Sequence, residues 1–127
     1  MHTVFLFLTS FVLFFSTASE APYSAIERAF SANNSEAIVA FGKDRMVLNI
    51  AGKESVYSHS QAQLILKDFF TKKPCSDFRF IFKGKETGDG CFAIGTFESK
   101  TEEFRVTIHF KKVDGEFKIE SLIIEKA

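Results

Sequence analysis

Thr96, Ser121 and Glu98 are the polar side chains whose apolar neighbours could give them a chemical role. Two hydroxyls in an otherwise aromatic wall are a common form of small-molecule site, with apolar surface for affinity and polar groups for orientation. The competing account is a hydroxyl bonded to backbone or to a trapped water, as in ordinary cores. A carboxylate held among apolar side chains gains a raised pKa and can act as a general acid. Glu98 is the one candidate, because Glu102, Glu103, Glu116 and Glu120 fall in turns or on a solvated face. Its place near a strand end favours a side chain that reaches water. There is no metal signature: Cys75 and Cys91 stand alone, and His59 and His109 lack ligand-like spacing. Nothing resembles a nucleophile elbow. The glycines between 84 and 90 lie between two strands and not ahead of a helix, so they predict a hairpin and not a phosphate loop. No catalytic residue, metal or cofactor is assigned.

The elements that must position these residues divide into a helical first half and a strand-rich second half. Tyr23, Ile26, Ala29 and Phe30 recur at helical spacing after Pro22, which suits a first turn. Asn34 or Ser35 can cap a second, short helix that Gly42 ends. Residues 45–50 and 54–57 flank Ala51, Gly52 and Lys53 and predict a short hairpin. A third helix opens with the capping-box pair Ser58 and Gln61 (Ser60 and Gln63 compete for the role) and stops at Pro74. Leu64, Ile65, Phe69 and Leu66 supply its expected apolar stripe, and Lys72 and Lys73 suit the negative end of its dipole. Four antiparallel strands are expected over 76–87, 91–98, 102–112 and 116–125, with turns at 88–90, 99–101 and 114–115. The expected fold class is α+β, one domain with N-terminal helices and an antiparallel sheet against the long third helix.

Counting outward from each turn pairs these strands. Phe82 then faces Thr96, Thr96 faces Phe104, Phe110 faces Ile119, and Ile108 faces Ser121. One apolar face results, made of Phe78, Phe80, Phe82, Phe92, Ile94, Phe104, Val106, Ile108, Phe110, Phe117, Ile119 and Ile123. Within it, Phe80, Phe82, Thr96, Phe104 and Ser121 form the candidate ligand pocket. The other face is charged apart from Ile81, Phe97, Leu122 and Ile124. These four form the candidate interface, since an apolar patch on an outer sheet face often marks a protein contact. The expected partners are a second copy through that face and a small apolar ligand in the pocket. Side chains alternate, so a one-residue slip in any turn would move a whole strand's set to the opposite face. The same count separates Cys75 from Cys91 by tens of ångströms at about 3.3 Å per residue, so two free thiols are expected.

Lys plus Arg and Asp plus Glu number 16 each, so the formal net charge is zero. A nucleic-acid binder shows a basic excess or stripe, and neither is visible. Residues 4–15 are nearly all apolar, no acidic side chain precedes Glu20, and the small residues Ser16 and Ala18 follow the run. The pattern is that of a secretory leader, although its start has no Lys or Arg. The run is also shorter than the about 20 residues that a membrane-crossing helix needs. Residues 1–18 are therefore read as a signal peptide cut after Ala18, with Ser19 and Ala21 as alternative sites, and 19–127 as the domain. Export to the periplasm or outside the cell is expected, with no stable membrane anchor after cleavage.

Helix, helix, hairpin, long helix and four strands is an order that resembles the cone-shaped fold of the nuclear transport factor 2-like superfamily. There a curved sheet wraps a long helix. More narrowly, "LKDFF" at 66–70 with "KKP", "FRFIFKG" at 78–84, "AIGTFES" at 93–99 and "FRVTIHFKK" at 104–112 are similar to a bacterial family. Its members are small, exported, single-domain proteins of unknown function. The resemblance covers essentially all of 19–127, and its motifs are structural, so it implies a fold before a role. The superfamily includes isomerases and dehydratases whose cone holds an acid/base pair of Asp, His or Tyr; no such pair falls on the expected inner face. A cystatin proper would carry Gln-x-Val-x-Gly, which is missing here. The expected function is a non-catalytic ligand-binding or protein-interaction module. The alternatives are an isomerase- or dehydratase-like enzyme with a cone pocket, and a structural protein acting through its surface.

Overall fold

Two side-chain caps and two left-handed turns set much of the chain's path. The computed structural model describes residues 20–127, so the expected signal peptide at 1–18 and the expected cut after Ala18 lie outside the described residues. Helix α1 (Tyr23–Ser31) follows Pro22 and buries Tyr23, Ile26, Ala29 and Phe30, the spacing expected. In α2 (Ser35–Ala40) the Asn34 side chain accepts from the Ala37 N–H at 3.0 Å, closing one free donor of the first turn. Strands β1 (Gly42–Ile50) and β2 (Lys53–Ser58) meet at Ala51 and Gly52, whose φ values of 55° and 88° suit a two-residue hairpin turn. Ser58 then caps α3 (His59–Lys72): its hydroxyl accepts from the Gln61 N–H, and the Gln61 side chain accepts from the Ser58 N–H.

The remaining strands are β3 (Asp77–Lys83), β4 (Gly90–Glu98), β5 (Glu103–Val113) and β6 (Glu116–Lys126). With β1 and β2 they form a six-stranded sheet in the order β2-β1-β6-β5-β4-β3. β1 runs parallel to β6, and the other neighbours are antiparallel. This corrects the expectation of a wholly antiparallel sheet. The β1–β2 hairpin docks beside the last strand across a long connection, and a connection of that length can return the chain in either direction.

Turn lengths decide which residues face inward. The β4–β5 turn holds four residues and not three: the Ser99 N–H donates to the Glu102 carbonyl at 2.8 Å, and Phe97 pairs with Phe104. That one residue inverts β4. Ala93, Gly95 and Phe97 point inward, whereas Phe92, Ile94 and Thr96 point outward. In β6, Phe110 pairs with Ile119 and His109 with Ser121, so Glu120 is an extra residue. Beyond it Leu122 and Ile124 turn in, and Ser121 and Ile123 turn out. In β3, Phe80 pairs with Gly95 and Phe82 with Ile94, so Ile81 is extra and Phe82 turns out. Each extra residue bends its strand locally. The inward places expected for Phe78, Phe80, Phe104, Val106, Ile108, Phe110, Phe117 and Ile119 are observed.

Aromatic rings pack the inner face. Phe30 stacks on Phe78 with centroids 4.3 Å apart, Phe70 lies parallel to Phe97 at 6.0 Å, and Phe69 meets Phe104 edge-on at 5.3 Å. Burying each such ring contributes roughly 1.5–3 kcal/mol. Helix α3 meets the sheet through Ala62, Leu66 and Phe70, spaced four apart, with Phe69 half-buried beside them. The expected stripe of Leu64, Ile65, Phe69 and Leu66 is thus displaced, and Leu64 is 66% exposed. Small Ala62 is fully buried and marks the inward row, a signal that its size obscures.

Candidate functional site: the outer face of the sheet

Helices α1 and α3 place their buried rings against Phe78, Phe97 and Phe104, so they cover one face of the sheet. The opposite face is open among the described residues. Residue pairing lays out its rows. Val56, Val47, Ser121, His109 and Phe92 lie in one line across five strands. Glu54, Asn49, Ile123, Thr107, Ile94 and Phe82 form the next, and Glu125, Arg105, Thr96 and Arg79 the third. The Phe82 and Phe92 rings are 5.4 Å apart, and the His109 imidazole stacks on Phe92 at 5.7 Å and 29°. Phe82 remains 47% exposed and Phe92 39%. Rings at these spacings interact favourably with one another, yet close to half of their area still faces water.

The residues expected to act together are separated by this geometry. Of the candidate pocket, Phe80 and Phe104 lie on the packed inner face, while Phe82, Thr96 and Ser121 lie on the outer face. Of the candidate interface, Phe97, Leu122 and Ile124 are buried in the core, and Ile81 alone stays at the surface, 61% exposed at its bulge. The physical reason is the same in each case: a turn one residue longer, or a bulge, exchanges the two faces. Glu98, expected inside, points outward with Thr96, and its carbonyl accepts from the Ser76 N–H at 2.7 Å. No signal short of the turn's true length distinguishes Phe92 and Ile94 from inward residues.

One other cluster carries reactive groups. The Tyr23 hydroxyl lies 3.8 Å from Cys91 Sγ, Lys83 Nζ sits 4.8 Å from the Tyr23 ring centre, and Glu86 Oε2 accepts from the Ala21 N–H at 3.2 Å. Burial raises the Tyr23 phenol, and its contact with Cys91 adds to this. Burial also raises the Cys91 thiol, with the Tyr23 hydrogen bond opposing in part. Both groups are therefore held protonated, the reverse of what a nucleophile needs. Cys75 and Cys91 are both free thiols. Among the described residues, no three His, Cys, Asp or Glu side chains gather as a metal site.

The remaining polar side chains join elements. His59 Nε2 lies 2.7 Å from the Lys43 carbonyl and 3.2 Å from that of Gly42, tying the start of α3 to β1. Asn33 brackets Cys75, accepting from its N–H at 2.7 Å and donating to its carbonyl at 3.4 Å. Glu27 of α1 accepts from the Phe80 N–H of edge strand β3 at 2.9 Å. Sequence reasoning missed all three, because each joins residues distant along the chain.

The architecture has relatives of known structure. A protein from Bacteroides ovatus is 27% identical, with 82% of this chain and 94% of that one covered and a TM-score of 0.76. One from Bacteroides uniformis is 25% identical, with 85% and 98% covered and a TM-score of 0.78. Both are described as DUF4783 family proteins. An NTF-2 like protein of unknown function from Shewanella oneidensis shares the fold at 11% identity, with 81% and 92% covered and a TM-score of 0.58. Comparison with curated proteins gives no match. The profile of the domain of unknown function DUF4783 matches residues 23–125, from the start of α1 almost to the end of β6. This chain belongs to the DUF4783 family, on a fold of the nuclear transport factor 2-like and cystatin-like kind.

Proposed function

We propose that this protein is an exported, non-catalytic interaction module that pairs with a second copy of itself through the outer sheet face. The observation that carries the reading is the exposed ring cluster of Phe82, Phe92 and His109, set beside Ile94 and Ile123 on a face that no helix among the described residues covers. Apolar patches of this kind on an otherwise polar surface are the usual mark of a protein contact. A second copy suits the patch because a two-fold axis places the same rings on both sides. Arg79 and Arg105 lie in one row with Glu125, and the net charge is zero, so like-charge repulsion between copies is small. A stable pair buries about 800 Å² on each partner, roughly a tenth of the 7858 Å² surface. Export rests on the apolar leader at 4–15.

Native mass spectrometry and sedimentation of the purified protein test the pairing. A dimer at micromolar concentration is expected, and Phe92→Glu should return it to a monomer with an unchanged circular dichroism spectrum. A wild-type monomer under the same conditions refutes the pairing. Detection of the unprocessed leader on protein recovered from the cytoplasm alone refutes export.

A further inference from the structure

A groove of about 370 Å³ opens on the helix side of the sheet, between α3 and the β1–β2 hairpin. Its size falls within the roughly 300–1,000 Å³ typical of small-ligand sites. Leu48, Ile50 and Phe69 form much of its lining, with Tyr57 and Ile65. Ile65 is 36% exposed there, and Leu64 beside it more so, although the opposite side of α3 is buried. Two cations, Lys53 and Lys72, and one carboxylate, Asp68, also line the groove. Lys72 is engaged by Asp68 at 3.1 Å, whereas Lys53 has no carboxylate partner among the described residues.

We propose that this groove binds a medium-chain aliphatic carboxylate. The alkyl chain lies along Ile50, Tyr57, Ile65 and Phe69, over the buried Leu48 that floors the groove, and the carboxylate meets the Lys53 ammonium. Such a chain removes water from apolar side chains that the fold leaves wet. A charge-assisted contact from Lys53 adds to this and selects an anionic head group. A neutral head group gives Lys53 no counter-charge, a cationic one is repelled, and a short acid leaves the apolar lining exposed. The groove lies apart from the outer face, and pairing there is not required for it.

Calorimetric titration of the purified protein with octanoate, kept below micelle formation, tests this. Octanol and octyltrimethylammonium control for the head group, and acetate controls for the tail. Saturable octanoate binding at one site is expected, with each control weaker by about ten-fold or more. Lys53→Glu should weaken octanoate binding by about ten-fold or more, and Ile65→Asp should remove it. Both replacements are at surface positions, and circular dichroism checks that each variant stays folded. Phe92→Glu should bind octanoate as the wild type does, so failure of pairing and failure of this site are read separately. Absence of saturable binding overturns the proposal. So does unchanged binding in Lys53→Glu or Ile65→Asp, equal binding of octyltrimethylammonium, or loss of octanoate binding in Phe92→Glu.

Discussion

Gly95 has no room for a side chain, because a Cβ there would lie 2.4 Å from Phe78 Cζ and 3.2 Å from the Arg79 carbonyl. The Phe78 ring cannot retreat, since Phe30 stacks on its other side at 4.3 Å. Gly95→Ala is expected to destabilise the fold by about 1–3 kcal/mol, the usual cost of overpacking, measured by urea unfolding. Adding Phe78→Leu should recover part of that loss, a coupling that independent sites would not show. The buried thiols give a second residue-scale expectation. Burial pushes Cys75 up to about 11 from an ordinary 9.0, with opposition from a backbone hydrogen bond at Asp77. Because the folded value is raised, its contribution to stability is complete below 9.0 and lost as pH rises through about 11. Stability should therefore fall less steeply between those values in Cys75→Ala than in the wild type, as urea midpoints across that range would show. A parallel decline in both would place the effect elsewhere.

Elements are held by caps and cross-links whose effects can be measured one at a time. Ser58→Ala removes one half of the α3 capping box and should cost about 1 kcal/mol. Its urea midpoint should fall with no change in slope. Glu102, in the β4–β5 turn, binds Lys73 at the end of α3 and Lys126 at the end of β6. Hydrogen bonds from Lys73 first, and then from Lys126, lower its carboxyl below the ordinary value of 4.5. A lowered value means that this link is intact above 4.5 and is lost as pH falls through the folded value. Glu102→Gln should accordingly make stability less dependent on pH below 4.5, and an unchanged acid limb would count against the link. These local signals explain what the sequence made legible. Asn34, Ser58, Pro22 and the Asp114–Gly115 turn act through residues near them, and the elements they bound follow directly from the sequence. The inward set of β5 was likewise legible, because its turn to β6 has the two-residue form that Asp-Gly dictates. Nothing comparable fixes Ser99 to Glu102 at four residues, and with that turn the facing of Phe92, Ile94, Thr96 and Phe97 was lost. The outer position of His109 was thus legible, whereas the rings of Phe82 and Phe92 beside it were not, and of the expected outer set Ile81, Phe97, Leu122 and Ile124 only Ile81 is at the surface.

The whole molecule presents two unequal faces, one covered by α1 and α3 and one bearing Phe82, Phe92, Ile94 and Ile123 toward water. If a second copy covers the open face, association is coupled to folding and stabilises the folded chain. Mass action then makes the melting temperature depend on protein concentration, because unfolding of a pair releases two chains. For a domain of this size, a hundred-fold rise in concentration should raise Tm by about 5 °C, half the shift that a ligand of equal binding energy per chain would give. Phe92→Glu should melt at one temperature across the same range. It should also match the wild type at the dilute end, where the wild type is dissociated, and fall below it at the concentrated end. That convergence at low concentration separates loss of a contact from loss of core stability, which would lower Tm equally at every concentration. A wild-type Tm that does not move with concentration would mean that the rings face solvent in the working molecule, and the pairing would be withdrawn.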